Sequence, residues 1–364
     1  MVSDGVAPGR AEAARATRRL MVGCYTDGQT SAAPGDGIRH CLLDADTGAL
    51  HPLGGAREVA NASYLCLGPR RDVVYAVEET TSTPSVHALR IRADGSVAHV
   101  GAQPVPDAWP CHLSVAPSGR WLAVAAYGNG TVALYPLADG GEIGAASSVV
   151  RHRGRGVHPE RQEGPHAHAA VFTPDGAELL VPDLGLDEVK RYRVSADARL
   201  EPLAPIRLEP GSGPRHLVFG QQGQRAYILN ELSSSIAIAT RDAERWSVGQ
   251  YVPCVPSAER DGNTAAAIRL APSERFLYAS NRGHDSIAVF SVDASGGHLA
   301  LVEHVATEGA TPRDFAIDPS GRLLVVANQD AGTLVSFWID APSGRLEATG
   351  HTLPMAKPAC VLML

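Results

Sequence analysis

The fold of this chain is indicated by one segment, which reads Cys111-His-Leu-Ser-Val-Ala-Pro-Ser-Gly-Arg-Trp-Leu-Ala-Val-Ala-Ala-Tyr127. It contains an apolar segment, a turn at Pro117-Ser-Gly-Arg120, and a second apolar segment that ends in a polar residue. Short apolar runs on either side of a Pro/Gly turn indicate two antiparallel strands rather than a helix. The same unit recurs along the chain, with turns anchored at Pro69, Pro117, Pro174, Gln221, Pro272 and Pro319.

The spacing of these anchors predicts the architecture. Successive anchors are 48, 57, 47, 51 and 47 residues apart, a period typical of the four-stranded blades of a β-propeller. The two chain ends supply a seventh blade, because residues 358–364 resemble a first strand and Leu20-Met-Val-Gly-Cys-Tyr25 resembles a second. We therefore predict an all-β, seven-bladed propeller of antiparallel blades. Pairing of the N- and C-terminal strands in one blade would close the ring and leave no free sheet edge at the seam.

The repeat also defines the domain organisation. Residues 19–364 are expected to form one propeller domain, and residues 1–18, which are polar and rich in Ala, a disordered tail. That tail has no apolar core, so we do not expect a secretory signal. No apolar run approaches the ~20 residues that cross a bilayer, so we expect no membrane association.

Charge and cysteine content narrow the possible partners. A net charge of -7 gives no reason to expect nucleic acid or an anionic membrane as a partner. The six cysteines are scattered without a CxxC pair, and most lie in apolar runs. We therefore expect neither disulfides nor a cysteine zinc site, and a cytoplasmic location. The oligomeric state, monomer or homo-oligomer, stays open.

Two positions of each repeat should gather around the central channel, because the start of the first strand and the end of the second lie opposite the turn. Six residues before each anchor stand Ser63, Cys111, His168, Arg215, Ala266 and Arg313. Ten residues after each anchor stand Glu79, Tyr127, Leu184, Glu231, Arg282 and Gln329. One residue earlier stand Glu78, Ala126, Asp183, Asn230, Asn281 and Asn328. Folding of the blades requires apolar strands but does not require His in one blade and Arg or Glu in another at the same position of the repeat. This variation therefore indicates a ligand site.

Around one channel mouth we expect a histidine, arginines and a carboxylate, with further polar groups nearby. The expected members are His168, Arg215, Glu231, Arg282 and Arg313, with Asp183, His112, His166 and His216 close by. Arg binds phosphate or carboxylate and can stabilise an oxyanion. His titrates near neutrality and can act as a general base on water. The set suits a small anionic substrate from which one proton is moved.

One long insertion, Arg151 to His166, leads directly into His168. It should lie on the same face of the propeller, where its basic character would add positive potential over the mouth. It could serve as a partial lid or a phosphate clamp, or it could be a plain solvated insertion.

Each of these residues also has a purely structural interpretation. His168, His112, His166 and His216 could be packing histidines, Arg215 and Arg313 could form ion pairs between blades, and Glu231 and Arg282 could pair with each other. Glu78 and Glu79 are expected at a solvated blade end. A metal site built on His166 and His168 lacks a third ligand at a suitable spacing, so we expect no metal.

Several strings in the chain resemble the lactonase-type propeller family, which includes bacterial 6-phosphogluconolactonase and fungal carboxymuconate cyclase. The resemblance runs from Leu20 to Leu364 and rests on Gly164-Pro-His-Ala-His168, Val181-Pro-Asp-Leu-Gly185, Gly213-Pro-Arg-His216, Asn230-Glu231, Ser280-Asn-Arg-Gly-His-Asp285 and Pro312-Arg-Asp-Phe315. It implies a catalytic quartet of His168, Arg215, Glu231 and Arg282, all of which the register had already selected. Substrate contacts are then expected from His112, His166, Asp183, Asn230, Arg313 and Gln329.

The resemblance implies a lactonase that needs no cofactor and acts on a small anionic sugar lactone. We favour hydrolysis of 6-phosphogluconolactone to 6-phosphogluconate. The alternative is a cycloisomerase or lactonase acting on carboxymuconate lactones of aromatic degradation. A third possibility, a non-catalytic propeller that docks proteins, is disfavoured because no Gly-His…Trp-Asp signature recurs in the blades.

Overall fold

The computed structural model describes residues 17–27, 37–56, 59–92, 96–294 and 297–364. These residues form seven four-stranded antiparallel sheets. Each innermost strand packs beside the innermost strand or second strand of the next sheet, and the series closes on itself. The predicted seven-bladed propeller is therefore confirmed.

The strands follow one another blade by blade, and blades are numbered here in the order in which the chain completes them. The closing blade, blade 7, begins with β1 (Thr17–Cys24), β2 (Ile38–Asp44) and β3 (Leu50–Ala56). Blade 1 contains β4 (Leu65–Leu67), β5 (Val73–Glu78), β6 (Ser85–Ile91) and β7 (Val97–Pro104). Blade 2 contains β8 (Pro110–Val115), β9 (Trp121–Ala126), β10 (Thr131–Pro136) and β11 (Ser148–Arg151). Blade 3 contains β12 (Val171–Phe172), β13 (Glu178–Asp183), β14 (Glu188–Val194) and β15 (Leu200–Arg207).

The second half of the chain repeats the pattern. Blade 4 contains β16 (Pro214–Gly220), β17 (Arg225–Asn230), β18 (Ser235–Asp242) and β19 (Arg245–Pro253). Blade 5 contains β20 (Thr264–Leu270), β21 (Phe276–Arg282), β22 (Ser286–Val292) and β23 (Leu299–Ala306). Blade 6 contains β24 (Pro312–Ile317), β25 (Leu323–Asn328), β26 (Thr333–Ile339) and β27 (Leu346–Pro354), and β28 (Pro358–Met363) completes blade 7. In the described residues the helices are two 3-10 turns, Gln221–Gly223 and Ser257–Glu259.

The ring closes through the chain ends. Strand β28 is the innermost strand of blade 7 and pairs with β1 from Leu20 opposite Met363 to Cys24 opposite Pro358. This is the closure expected from the sequence. Strand β1 begins at Thr17, so its first two residues fall in the segment expected to be a tail; the rest of that segment, residues 1–16, lies outside the described residues.

The hairpin turns explain the repeated Pro-x-Gly motif. The residue two positions after each anchor has a left-handed backbone, with φ of 72° at both Gly119 and Gly321. Glycine adopts this conformation without a steric penalty. Where the motif lacks glycine, Arg71 and Glu274 adopt the same conformation, with φ of 58° and 54°.

The core lies between neighbouring blades, where the apolar faces of their strands meet. Tyr75, Tyr227 and Tyr278 are almost completely buried there. Each hydroxyl donates a hydrogen bond to a glycine carbonyl in the outer part of the next blade; from Tyr278 to Gly344 the distance is 2.9 Å. A buried tyrosine needs such a partner for its hydroxyl, so these bonds fix how adjacent blades stack.

Candidate active site

The inner strands carry β-bulges at the positions that the sequence register selected. In blade 4, Pro214 pairs with Asn230 and His216 with Leu229, so Arg215 has no partner across the ladder. Arg313 of blade 6 stands at an equivalent bulge. A bulge inserts one extra residue and redirects its side chain, which accounts for charged groups on otherwise apolar strands.

Glu231 occupies the end of the neighbouring strand in blade 4. It directly follows β17, and its backbone N–H donates to the carbonyl of Gly213 at 2.7 Å. This hydrogen bond places the carboxylate beside the bulge of the same blade. The side chain is only 4% exposed, so its charge needs partners.

Four basic side chains surround that carboxylate. The Oε2 atom lies 3.0 Å from Arg215 Nε, 3.0 Å from Arg282 Nη2 and 3.9 Å from His168 Nε2. The Oε1 atom lies 2.7 Å from Nη2 of Arg161. We call these five residues the Glu231 cluster. The structure thus brings together all four members of the predicted quartet and adds Arg161.

Burial and charge set the protonation states in the Glu231 cluster. Burial alone would raise the pKa of Glu231, but Arg282 and Arg215 hold it below its usual range, so the group is a carboxylate at neutral pH. Burial and the adjacent charge of Arg215 lower the pKa of His168 well below its usual value. Burial and Arg282 lower the pKa of Arg215 to about 10, which leaves it a cation. At neutral pH an unprotonated imidazole therefore stands beside a fixed anion and fixed cations.

A pocket of about 290 Å³ opens beside this cluster, and we call it the mouth pocket. Its lining residues are Tyr25, Asp27, Glu79, Trp109, Tyr127, Arg313 and Gln329. The Tyr127 ring joins pocket and cluster, since its centroid lies 5.6 Å from that of His168 and its hydroxyl 3.5 Å from Arg161 Nη2. The four members of the predicted quartet do not line the pocket themselves, and the Tyr127 ring stands between the pocket and His168.

The comparison with known protein families decides the classification. The family described as "Lactonase, 7-bladed beta-propeller" matches residues 19–363. The chain belongs to this lactonase family. A 6-phosphogluconolactonase of Bacillus subtilis (strain 168) is 34% identical over 290 residues, which are 79% of this chain and 81% of the relative. A 6-phosphogluconolactonase of Formosa agariphila is 33% identical over 298 residues, 79% of this chain and 83% of that relative.

Solved structures agree with this assignment of the lactonase. The periplasmic gluconolactonase of Pseudomonas aeruginosa superposes with a TM-score of 0.89 at 30% identity, covering 96% of this chain and 99% of that one. A protein from Lactobacillus plantarum also gives a TM-score of 0.89, at 33% identity, with coverage of 96% and 100%.

Among the substrate contacts expected from the sequence, three lie at the mouth of the lactonase. Arg313 and Gln329 line the mouth pocket, and Arg313 lies 5.2 Å above the centroid of the Tyr25 ring. His166 stacks on the Tyr127 ring at 4.2 Å, and its Nδ1 lies 2.9 Å from the Tyr127 carbonyl oxygen. His166 therefore supports a wall of the pocket.

The other three expected contacts point elsewhere. Asp183 is fully buried: its Oδ1 accepts the backbone N–H of His166 at 2.8 Å, and its Oδ2 lies 2.5 Å from His152 Nδ1. Asn230 is also fully buried, and its amide nitrogen donates to the Ser235 hydroxyl at 3.1 Å. These two side chains order the backbone next to the Glu231 cluster.

His112 lies deeper in the channel. Its ring stacks on Tyr64 at 4.1 Å and lies 5.4 Å from His216, whose ring is 5.6 Å from His168. His112 also lines a larger cavity of about 480 Å³ formed by the inner strands, together with Tyr64 and Arg269. The two histidine pairs pack edge to face, so His216 connects His112, which lines the cavity, with His168 of the Glu231 cluster.

Several groups at the site were not selected from the sequence, among them Arg161, Tyr25 and two further residues of the mouth pocket, Asp27 and Trp109. Arg161 was one of several arginines in the insertion, and nothing in the local pattern distinguishes it. Tyr25 was detectable as the polar end of the run Leu20-Met-Val-Gly-Cys-Tyr25, which resembles the second strand of the repeat. The structure gives it the position of Glu231 in blade 7, since Cys24 pairs with Pro358 as Asn230 pairs with Pro214. Glu79, expected at a solvated blade end, instead accepts the Tyr25 hydroxyl at 2.9 Å inside the mouth pocket.

The remaining features of the described residues concern metals, thiols and membranes. Within the ranges that the structure describes, no group of three His, Cys, Asp or Glu side chains is arranged to hold a metal ion. All six cysteines are described, and each is a free thiol. None of the described helices has the length and apolar character needed to cross a membrane.

Proposed function

We propose that this lactonase hydrolyses 6-phosphogluconolactone to 6-phosphogluconate without a metal ion or cofactor. The observation that carries the proposal is the Glu231 cluster, in which a neutral histidine stands beside arginines and is joined to the mouth pocket by the Tyr127 ring. The activity named for the relatives from Bacillus subtilis and Formosa agariphila supports the same substrate.

His168 is proposed as the general base. Its pKa, lowered by burial and by Arg215, leaves the ring unprotonated at neutral pH. The imidazole would take a proton from water as the water oxygen attacks the lactone carbonyl carbon. It would then give the proton to the lactone ring oxygen as the bond between that oxygen and the carbonyl carbon breaks. The Glu231 carboxylate, 3.9 Å from Nε2, would stabilise the transient imidazolium.

The arginines are proposed to stabilise negative charge. As the tetrahedral intermediate forms, the carbonyl oxygen becomes an oxyanion, which positioned cationic donors stabilise. Arg282, with 17% of its side chain exposed, is more accessible than Arg215, with 3%. We assign Arg282 to the oxyanion and Arg215 to holding Glu231 in place.

A cytoplasmic location is part of this proposal. Six free thiols fit a reducing compartment, and a net charge of -7 fits a small-molecule enzyme with neither nucleic acid nor membrane as a partner. The Pseudomonas aeruginosa relative is described as periplasmic, so location is best tested directly by fractionation.

The activity test measures hydrolysis of freshly generated 6-phosphogluconolactone against its spontaneous rate, with and without EDTA. We expect a clear acceleration that EDTA leaves unchanged and that His168→Ala removes. A loss of activity in EDTA would contradict the metal-free mechanism. If the wild-type protein gives no acceleration, the proposed substrate is wrong, and carboxymuconate lactones become the next substrates to test.

A further inference from the structure

We infer that Arg161 binds the phosphate group of the substrate and so determines selectivity for a phosphorylated lactone over a neutral one. This inference rests on the proposed function and adds a residue to it. Arg161 comes from the insertion between blades 2 and 3, not from the repeating framework of the blades.

The insertion is fixed immediately beside Arg161. Gln162 is 1% exposed, and its Nε2 donates to the Leu184 carbonyl at 2.8 Å and to Asp187 Oδ1 at 2.7 Å. Its Oε1 accepts the backbone N–H of His158 at 2.9 Å. These bonds attach the insertion to blade 3, so the Arg161 guanidinium is held over the mouth of the channel.

Arg161 is the most accessible of the three arginines on Glu231. Its side chain is 37% exposed, against 17% for Arg282 and 3% for Arg215. It contacts only Oε1 of the carboxylate, whereas Arg215 and Arg282 contact Oε2. Arg161 can therefore turn towards a ligand while Glu231 keeps two cations.

Two of the other arginines make further contacts within the protein. Arg215 donates from Nη1 to the Ala266 carbonyl as well as pairing with Glu231. Arg313 is stacked over the Tyr25 ring. Among the arginines of the Glu231 cluster, Arg161 is therefore the one most available to a phosphate from solvent.

The charge balance at the mouth also favours an anion. Among the described residues of the cluster and mouth pocket, four arginines face the carboxylates of Asp27, Glu79 and Glu231, which leaves a surplus of one positive charge. A phosphate monoester carries about -1.5 to -2 at pH 7.

The test compares two lactones in matched variants. Arg161→Gln removes the charge, and Arg155→Gln removes an exposed arginine of the same insertion as the control. Steady-state kinetics are measured for 6-phosphogluconolactone and for unphosphorylated glucono-1,5-lactone. We expect Arg161→Gln to lower the ratio of kcat/KM for the phosphorylated lactone to kcat/KM for the neutral one by about 10- to 100-fold, mainly through KM, the effect of losing a charge-assisted hydrogen bond. With Arg155→Gln, the kinetics on both lactones should change less than about twofold.

Two results would overturn the inference. An equal loss of kcat on both lactones would mean that Arg161 acts through Glu231 rather than on phosphate. No change on either lactone would mean that it does not contact the substrate. Arg161→Lys should restore part of the affinity for the phosphorylated lactone, because lysine keeps the charge but lacks the planar fork of arginine.

Failure of the proposed reaction is separable from failure of this inference. If the wild-type protein hydrolyses neither lactone, calorimetric titration with 6-phosphogluconate and with gluconate still tests the phosphate contact. Preference for the phosphorylated acid that disappears in Arg161→Gln would support the inference. Equal affinities for the two acids, or a preference unchanged by the substitution, would contradict it.

Discussion

Burying a carboxylate is costly unless it is paired, and Glu231 is paired with three arginines. The same carboxylate faces His168, so one residue both neutralises the buried cations and orients the proposed base. Removing its charge should therefore affect stability and catalysis together.

Glu231→Gln is the substitution that tests this double role. We expect the free energy of unfolding to fall by about 3–5 kcal/mol, because Arg215 and Arg282 lose their counter-ion inside the protein. We also expect kcat to fall on the order of 10²- to 10⁴-fold, because the imidazolium of His168 would lose its stabilising charge. Urea denaturation and lactone hydrolysis measure the two effects.

Glu178→Gln is the matched control. Glu178 is a buried carboxylate of blade 3 that pairs with Arg191 at 2.8 Å and with Arg241 at 3.1 Å, away from the mouth. Its substitution should lower stability by a similar amount and leave kcat unchanged. Wild-type kcat in Glu231→Gln would remove this residue from the proposed mechanism.

The residues of the site differ in how far the sequence could predict them. The register selected His168, Arg215, Glu231 and Arg282, because strand ends around a propeller converge whatever the side chains are. The bulge that turns Arg215 outward from its ladder depends on pairing and was not detectable. The reach of Arg161 depends on how the insertion is anchored, and no periodic pattern encodes that.

At the scale of the strand, β28 has the greatest consequence for folding. It contributes the innermost strand of blade 7 and contacts its inner-strand neighbours, β24 and β4. Cys360 and Val361 are 2% and 4% exposed, so their side chains belong to the core. Without β28 the inner edge of β1 would be open to pairing with other chains.

Truncation after Lys357 should therefore abolish cooperative unfolding and cause aggregation. The control is a circular permutant that keeps every described strand. A short linker joins Leu364 to Thr17, and the new chain termini lie in the exposed turn between Pro342 and Ser343. We expect this permutant to remain monodisperse in size-exclusion chromatography and to unfold cooperatively on heating. A truncated protein that unfolds like the wild type would show that the ring does not need β28.

At the scale of the whole molecule, the repeat predicted the fold because each blade buries its apolar faces only against the next one. Because the pattern occurs seven times, the fold could be predicted although one inner strand, β12, has only two residues. There the ladder continues irregularly, through the backbone hydrogen bond from His168 to the Pro182 carbonyl at 2.9 Å. The repeat could not predict the contents of the channel, because those side chains meet only when the ring has closed.

Those channel contents make the stability of the molecule dependent on pH. Burial and nearby arginines lower the pKa of His112 to about 3, and burial and Arg215 lower the pKa values of His168 and His216 well below their usual range. In the unfolded chain a histidine titrates near pH 6.5. Below that pH the unfolded state binds protons that the native state does not, so the stability present above pH 6.5 is lost as the pH falls.

We therefore expect the free energy of unfolding to decrease by roughly 1.4 kcal/mol per pH unit for each of the three histidines once the pH is well below 6.5. His112→Phe keeps a ring to stack on Tyr64 and removes one titrating group. Urea denaturation at several pH values between 5 and 7.5 gives the slope of the unfolding free energy against pH, which should be shallower in His112→Phe by about the contribution of one proton. The lost hydrogen bond from the Ala170 backbone N–H lowers the stability at neutral pH but does not change this slope. The exposed outer-strand substitution His351→Phe is the control. Equal slopes in wild type and His112→Phe would mean that His112 takes up protons in the folded channel as it does in the unfolded chain, which would contradict a neutral His112 in the folded protein.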